Sequence, residues 1–175
     1  MFQAVRIILA IITAYSSSTF LTSVDRVLGT VQMRLTTIFL LFSPGVFYAS
    51  TSFLPSASVM NLVMLGASAW LRGENTKCLL IGSVAVLLTG WPFVGVIFLP
   101  LGLNMWNSVW VEASKAMGSA LAIATAIQFA IQTVMIAGIV YGVSRCVDRY
   151  YYGIWVDPTM NILAYNAGGN GDNLY

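Results

Sequence analysis

Long apolar runs separated by short polar breaks dominate the chain and restrict its fold more than any other feature. The 175 residues are 58% hydrophobic and only 8% charged, whereas about 25% of the residues of a soluble protein are charged. A run of about 20 apolar residues is long enough to cross the hydrocarbon core of a bilayer as a helix. The sequence therefore predicts an all-α membrane protein, a polytopic transmembrane helical bundle.

The positions of the breaks predict about six helical segments. They lie near 4–24, 35–52, 57–71, 78–91, 93–110 and 117–146. The fourth and fifth are short halves of one broken span, because Gly90, Trp91 and Pro92 interrupt an apolar run that is too long for one ordinary helix. Pro55 has no amide hydrogen to donate, so it separates the second segment from the third. Residues 148–175 are predicted to form an ordered polar loop.

Lysine and arginine are distributed unequally between the two sets of turns. One set contains five basic residues, which are Arg26, Arg34, Arg72, Lys77 and Lys115, whereas the breaks "ASTSFLPS" and "TGWPF" contain none. Because positive residues favour the cytosolic side, the uncharged breaks and residues 148–175 are predicted on the opposite face. Arg6, Arg145 and Arg149 also fall on that face, so the bias is five to three.

The composition also excludes other kinds of site. The net charge is only +2 and its basic residues are scattered, so we expect no nucleic-acid partner. The sequence contains two cysteines and no histidine. A disulfide framework or a metal site built from His and Cys is therefore not expected.

Three motifs in a fixed order carry a resemblance to a known family. They are "SPGVFYASTSFLPSASVM", "TGWPF" and "DRYYYGIWVDPTMNILAYN", followed by a closing "DNLY". Together they resemble glycosyltransferase family 22, the mannosyltransferases that use dolichyl phosphate mannose. Within that family the sequence is most similar to the alpha-1,2-mannosyltransferases of N-glycan precursor assembly.

The resemblance implies a multispan enzyme of the endoplasmic reticulum membrane with the GT-C architecture. Such an enzyme moves mannose, with inversion, from the donor dolichyl phosphate mannose to a lipid-linked oligosaccharide acceptor in protein N-glycosylation. Both substrates are anchored in membrane lipid, so a site at the luminal face can receive both. No metal or other cofactor is implied, because basic side chains and loop amides can accommodate the phosphate leaving group.

The resemblance further implies that this sequence is a fragment. Family members are several times longer, and their catalytic acidic residue lies in a first luminal loop, which would precede Met1. We therefore expect parts of the enzyme to be missing at both ends, the catalytic base to lie outside these residues and the fragment to be inactive alone. Residues 148–175 would be the start of a luminal loop.

The closing motif contains the candidate substrate-binding residues. They are Asp148, Arg149, Tyr150, Tyr151, Tyr152, Gly153, Asn161 and Asn166. Arg149, together with Arg145, suits contact with the donor phosphate or with lipid headgroups. The tyrosines and Trp155 suit stacking on mannose or the first isoprene units, or anchoring at the membrane interface. The two asparagine amides suit sugar hydroxyls or hydrogen bonds within the loop.

Three aspartates of the closing stretch have local explanations. Asp148 lies three residues after Arg145 at a predicted helix end, which favours an ion pair between them. Asp157 precedes Pro158, and Asp172 lies among Gly and Asn, so both suit turns. Asp148 is therefore predicted to hold position rather than to react.

Other functions remain open from the sequence. A related alpha-mannosyltransferase could serve the synthesis of glycosylphosphatidylinositol anchors or form an alpha-1,6 bond. A non-catalytic transporter or assembly subunit could use the break at 90–92 to line a solute path. A transporter should place polar residues around this break, but the neighbours are Leu, Val, Phe and Ile, which favours the mannosyltransferase.

Overall fold

Every regular element in the part of the chain that the structure describes is helical. The computed structural model describes residues 2–52, 54–88, 92–117, 119–155 and 157–168. Its helices are α1 (Phe2–Leu28), α2 (Thr30–Phe42), α3 (Pro44–Ala49), α4 (Pro55–Leu71), α5 (Asn75–Ser83), a π-helical turn (Val84–Leu88), a 3₁₀ turn (Pro92–Val94), α6 (Gly95–Met117), α7 (Ser119–Tyr152) and α8 (Pro158–Gly168). Two helical stretches, Gln3–Leu28 and Ile123–Tyr152, are long and apolar enough to cross a membrane. The all-α class is confirmed, while the number of spanning segments stays a prediction.

The chain divides into two compact units, an N-terminal unit (Met1–Gly82) and a C-terminal unit (Ser83–Tyr175). In the N-terminal unit, α1 packs against both α2 and α4. The turn between α1 and α2 is a single residue, Gly29, which adopts a φ of 103° that favours glycine. The Gly29 amide donates to the carbonyls of Val24 and Asp25 at 3.2 and 3.1 Å, so it ends α1 and lets α2 pack back against it.

The segment predicted as one helix over 35–52 is two helices in the structure. Helix α2 ends at Phe42, Ser43 is extended with ψ 113°, and α3 begins at Pro44. Proline disfavours the helical conformation of the residue before it and has no amide hydrogen to continue the helix. The 13 residues of α2 span roughly 20 Å, which is less than the ~30 Å hydrocarbon core.

Polar side chains of α1 face α4 and are buried there. The Ser16 hydroxyl donates to Asn61 Oδ1 at 2.8 Å, and Asn61 Nδ2 donates to Thr13 Oγ1 at 3.2 Å. Two turns further along both helices, the hydroxyls of Ser23 and Ser68 are 2.7 Å apart. Small residues let membrane helices approach closely, and hydrogen bonds between such helices contribute on average about 0.6 kcal/mol each. The polar centre of α1 is therefore its interface with α4.

The two serine contacts also fix the relative direction of α1 and α4. Ser16 lies 45 residues before Asn61, and Ser23 lies 45 residues before Ser68. Because both helices advance together along the contact, they are parallel. Their C-terminal ends, near Arg26 and Arg72, lie at the same end of the N-terminal unit. This agrees with the prediction that these two basic turns share one side.

The C-terminal unit is built on a hairpin of α6 and α7. The rings of Trp106 and Phe129 pack across it, with centroids 6.2 Å apart. Helix α7 also contacts the π-helical turn, where the Ser144 hydroxyl donates to the carbonyl of Leu87 at 3.4 Å. A π-helical turn disturbs the regular hydrogen bonds of a helix. A carbonyl of such a turn can accept from a neighbouring helix instead, as the Leu87 carbonyl does from Ser144.

The break predicted at residues 90–92 is described only in part. Gly90 and Trp91 lie outside the described residues. On either side, the chain leaves the α-helical conformation, in the π-helical turn and in the 3₁₀ turn that begins at Pro92. The 3₁₀ turn contacts both α6 and α8. One end of the C-terminal unit thus brings the end of the "TGWPF" motif beside the closing stretch.

The polar loop predicted from residue 148 onward is wrong over the residues that the structure describes. Helix α7 continues to Tyr152, two turns beyond Arg145, and α8 follows from Pro158 to Gly168. Residues 169–175 lie outside the described residues. The connection between α7 and α8 begins at Gly153, whose φ of 72° favours glycine and whose amide donates to the carbonyl of Arg149 at 2.9 Å.

Candidate functional site

The end of α7 and the beginning of α8 meet around the carboxylate of Asp157. The Tyr141 hydroxyl donates a short hydrogen bond to Asp157 Oδ2, and Arg145 Nη1 lies 3.4 Å from the same oxygen. The other oxygen, Oδ1, accepts from the Met160 amide at 3.0 Å. The side chains of Arg145 and Asp157 are 22% and 20% exposed. One half-buried carboxylate therefore connects two turns of α7 to the first turn of α8.

The ionised form of Asp157 is the favoured one in this environment. Burial raises the pKa of the carboxyl, but the Tyr141 hydrogen bond, the Met160 amide and the Arg145 charge together lower this pKa below its usual value. The folded pKa is thus below the unfolded one. The resulting stabilisation is present at every pH above the unfolded pKa and is lost as the pH falls through the lowered value.

Two arginines share the ring of Trp155. The guanidinium carbon of Arg149 lies 4.5 Å from the ring centroid, and that of Arg145 lies 5.8 Å from it. Both distances are within the range of a cation–π contact. Arg145 is also paired with Asp157, whereas no carboxylate of the described residues forms a salt bridge with Arg149. The exposed guanidinium of Arg149 is therefore able to bind an anion.

Three consecutive tyrosines end α7 with exposed rings. Tyr150, Tyr151 and Tyr152 are 84%, 77% and 64% exposed. The rings of Tyr150 and Tyr151 form an edge-to-face pair with centroids 5.3 Å apart. Exposed tyrosines beside a cationic helix end suit a membrane interface or a ligand that offers both apolar and hydroxyl groups.

The structure describes the side chains of two further candidate residues, Asp148 and Asn161, but not that of Asn166. Asp148 is half-buried on α7, and Arg145 forms its salt bridge with Asp157 instead, so the predicted pair between Arg145 and Asp148 is wrong. Asn161 presents an exposed side chain on α8. The side chain of Asn166 lies outside the described residues, as does Asp172.

Gly153 has a backbone role that can be tested directly. Its φ of 72° lies in the left-handed region, and a Cβ built there meets nothing within 4 Å. Gly153→Ala is therefore expected to destabilise the end of α7 by about 1 kcal/mol, through backbone strain alone. Thermal unfolding of the purified protein in detergent measures this effect. Gly142→Ala, at a helical position of α7 with equal space around it, should be neutral or stabilising, and equal losses in both variants would contradict the backbone explanation.

The sequence predicted a turn role for Asp157, but neither its cap and salt bridge nor its contact with Tyr141 was predicted. Asp157 followed by Pro158 is a recognised start of a helix, because aspartate caps the first turn and proline suits the first helical position. This signal could have identified both α8 and the cap. Tyr141 lies 16 residues before Asp157 inside an apolar helix, and no local pattern indicates its contact.

The fold and this cluster define an all-α membrane protein with a cationic and aromatic surface at one end of a helical hairpin. Among the described residues, no group of three His, Cys, Asp or Glu side chains is placed to hold a metal ion. The chain belongs to the Alg9-like mannosyltransferase family, whose sequence model matches residues 1–175. The predicted membership of glycosyltransferase family 22 is confirmed.

Individual relatives agree with this membership. An alpha-1,2-mannosyltransferase ALG9 from Arabidopsis thaliana is 31% identical over 172 residues, covering 98% of this chain and 27% of the relative. The ALG9 of Homo sapiens is 27% identical over 181 residues, covering 99% and 26%. That of Saccharomyces cerevisiae is 32% identical over 139 residues, covering 74% and 22%. The chain spans about a quarter of the length of these relatives. No solved structure matches it significantly.

Proposed function

We propose that this chain is part of an alpha-1,2-mannosyltransferase of N-glycan precursor assembly. It would act on dolichyl phosphate mannose as the donor and on a lipid-linked oligosaccharide as the acceptor. The observation that carries this proposal is the family match over residues 1–175. The names of the relatives support the linkage, since each is an alpha-1,2-mannosyltransferase.

The proposed setting is the endoplasmic reticulum membrane, with a GT-C bundle of about six helical segments and the chemistry on the luminal side. The parallel arrangement of α1 and α4 supports the predicted orientation, because it brings two basic turns to one end of the N-terminal unit. In the C-terminal unit, the contact between the 3₁₀ turn and α8 supports a shared face for the second and third motifs.

Within this setting, Arg149 is the residue proposed to contact the donor phosphate. Its guanidinium is exposed and lies against Trp155, and a guanidinium binds phosphate through paired hydrogen bonds. Arg145 is less suited, because Asp157 already neutralises it. Phosphate contact suited both arginines in the sequence, but only Arg149 was among the candidate binding residues, and the Arg145–Asp157 salt bridge supports that choice.

The remaining candidates are proposed to line the same face. Tyr150, Tyr151 and Tyr152 offer exposed rings to mannose or to the first isoprene units of the donor. Asn161 offers an exposed amide to sugar hydroxyls, as is proposed for Asn166. Asp148 is proposed to hold position, and Gly153 provides the turn between the tyrosines and α8.

The transfer itself needs a base that accepts the proton of the acceptor hydroxyl as the phosphate departs. Asp157 does not suit this role. Its oxygens already accept from Tyr141, Arg145 and Met160, and its lowered pKa makes it a weaker proton acceptor. We therefore assign the base to none of the described residues.

The proposal predicts complementation of a Saccharomyces cerevisiae strain that lacks ALG9. The complete reading frame that encodes this chain is expected to restore elongation of the lipid-linked oligosaccharide, because its donor and acceptor would be the same as those of the missing yeast enzyme. Mass spectrometry of the released glycans measures the added mannose, and linkage analysis separates an alpha-1,2 from an alpha-1,6 bond. Glycans that stay as short as those of the strain without the added gene, although the added protein is expressed normally in the membrane, would overturn the proposal.

A further inference from the structure

We infer that Asp157 is a positioning residue. It forms a clasp that holds α8 against Tyr141 and Arg145 of α7, so that Arg149 and Trp155 form one substrate-facing surface. The clasp follows from contacts within the C-terminal unit, and only its use in donor binding rests on the proposed function.

The connection between α7 and α8 is short. It runs from Gly153 to Asp157, and its first residue has the conformational freedom of glycine. A connection that begins with glycine does not by itself fix the direction of the helix that follows it. The carboxylate of Asp157 does so, because one oxygen caps α8 through the Met160 amide and the other contacts Tyr141 and Arg145 on α7.

The negative charge of Asp157 lies beside one of two neighbouring positive charges on α7. Arg145 and Arg149 lie one turn apart on α7, where like charges repel, and both guanidiniums lie against the ring of Trp155. Asp157 offsets the charge of Arg145 only. It thereby allows two cations to share one indole while Arg149 stays available to an anion.

Asp157 does more than cap α8. A cap for α8 needs only one acceptor oxygen, and asparagine would serve equally well. The second oxygen has two further partners on a different helix. Capping therefore does not explain the negative charge, and the contact with Arg145 does.

Asp157→Asn separates these roles, because it keeps the shape and the cap but removes the charge. In the protein from the complete reading frame, hydrogen exchange of the α8 amides, followed by mass spectrometry, is expected to accelerate at least about threefold, since a charged hydrogen bond contributes more than a neutral one. Glu112→Gln removes an exposed acid of α6 that lies outside the cluster and should leave α8 exchange unchanged. Unchanged exchange in Asp157→Asn, or an equal increase in both variants, would overturn the clasp.

Kinetics of the same variants test the use of the clasp. Asp157→Asn is expected to raise the KM for dolichyl phosphate mannose about tenfold, which corresponds to roughly 1.4 kcal/mol, with kcat changed less than about twofold. A fall in kcat at constant KM would overturn the positioning role. If the parent protein transfers no mannose, the proposed function fails, and the exchange experiment still decides the clasp.

Discussion

Replacing Ser16 by leucine is expected to separate α1 from α4. The Ser16 side chain is fully buried, and its hydroxyl donates to Asn61 at 2.8 Å. Leucine adds volume where none is free and leaves the Asn61 oxygen without this donor, so we expect a loss of about 2–4 kcal/mol in the free energy of unfolding. Denaturant or thermal unfolding of the purified protein in detergent micelles measures the loss.

Ser18→Leu is the matched control for this experiment. Ser18 lies on the exposed side of the same helix, two residues further along. The same change of side chain there is expected to shift the free energy of unfolding by less than about 0.5 kcal/mol. Similar losses in both variants would show that α1 does not pack on α4 through Ser16. A stable Ser16→Leu protein would contradict the buried contact itself.

The class of fold could be predicted from the sequence, but the pairing of helices could not. Apolar runs indicate helices by their length, and α1, α4 and α6 are found near their predicted positions. The polar centre of α1 packs against a partner helix that the sequence does not identify. Its partner residues, Asn61 and Ser68, lie 45 residues away, and such a contact follows from the tertiary structure, not from any local pattern.

Local signals for two features were present in the sequence but were outweighed by composition. Pro44 divides the second predicted segment, although most of that segment is apolar. The polar stretch after Asp148 indicated a loop, yet Asp157 and Pro158 begin a helix there. In both cases a single proline decides the backbone more strongly than the average polarity of its neighbours.

The candidate site could also be predicted only in part from the sequence. Its residue types could be predicted, since arginines, tyrosines and amides are concentrated in one motif. The partners could not, because Arg145 pairs with Asp157 across the connection between α7 and α8 rather than with Asp148, which lies three residues after it. This choice determines which arginine remains available to an anion, and it leads to the second large expected effect.

Arg149→Gln is expected to lower kcat/KM for dolichyl phosphate mannose about 10- to 100-fold, mainly through a higher KM. The Arg149 guanidinium is exposed, has no salt-bridge partner among the described residues and lies 4.5 Å from the Trp155 ring centroid. Hydrogen bonds from a cation to a phosphate contribute roughly 1.5–3 kcal/mol. Initial rates of mannose transfer, measured in membranes that contain the complete protein, provide both constants.

Two further variants separate donor binding from a general effect of charge. Arg149→Lys keeps the charge but loses the planar fork, so its kcat/KM should lie between those of the parent and of Arg149→Gln. Arg34→Gln removes an exposed arginine from α2, on the side predicted to be cytosolic, and should leave both constants unchanged. An unchanged KM in Arg149→Gln would contradict a phosphate contact. Equal losses in Arg34→Gln and Arg149→Gln would instead attribute the effect to the net charge of the protein at the membrane.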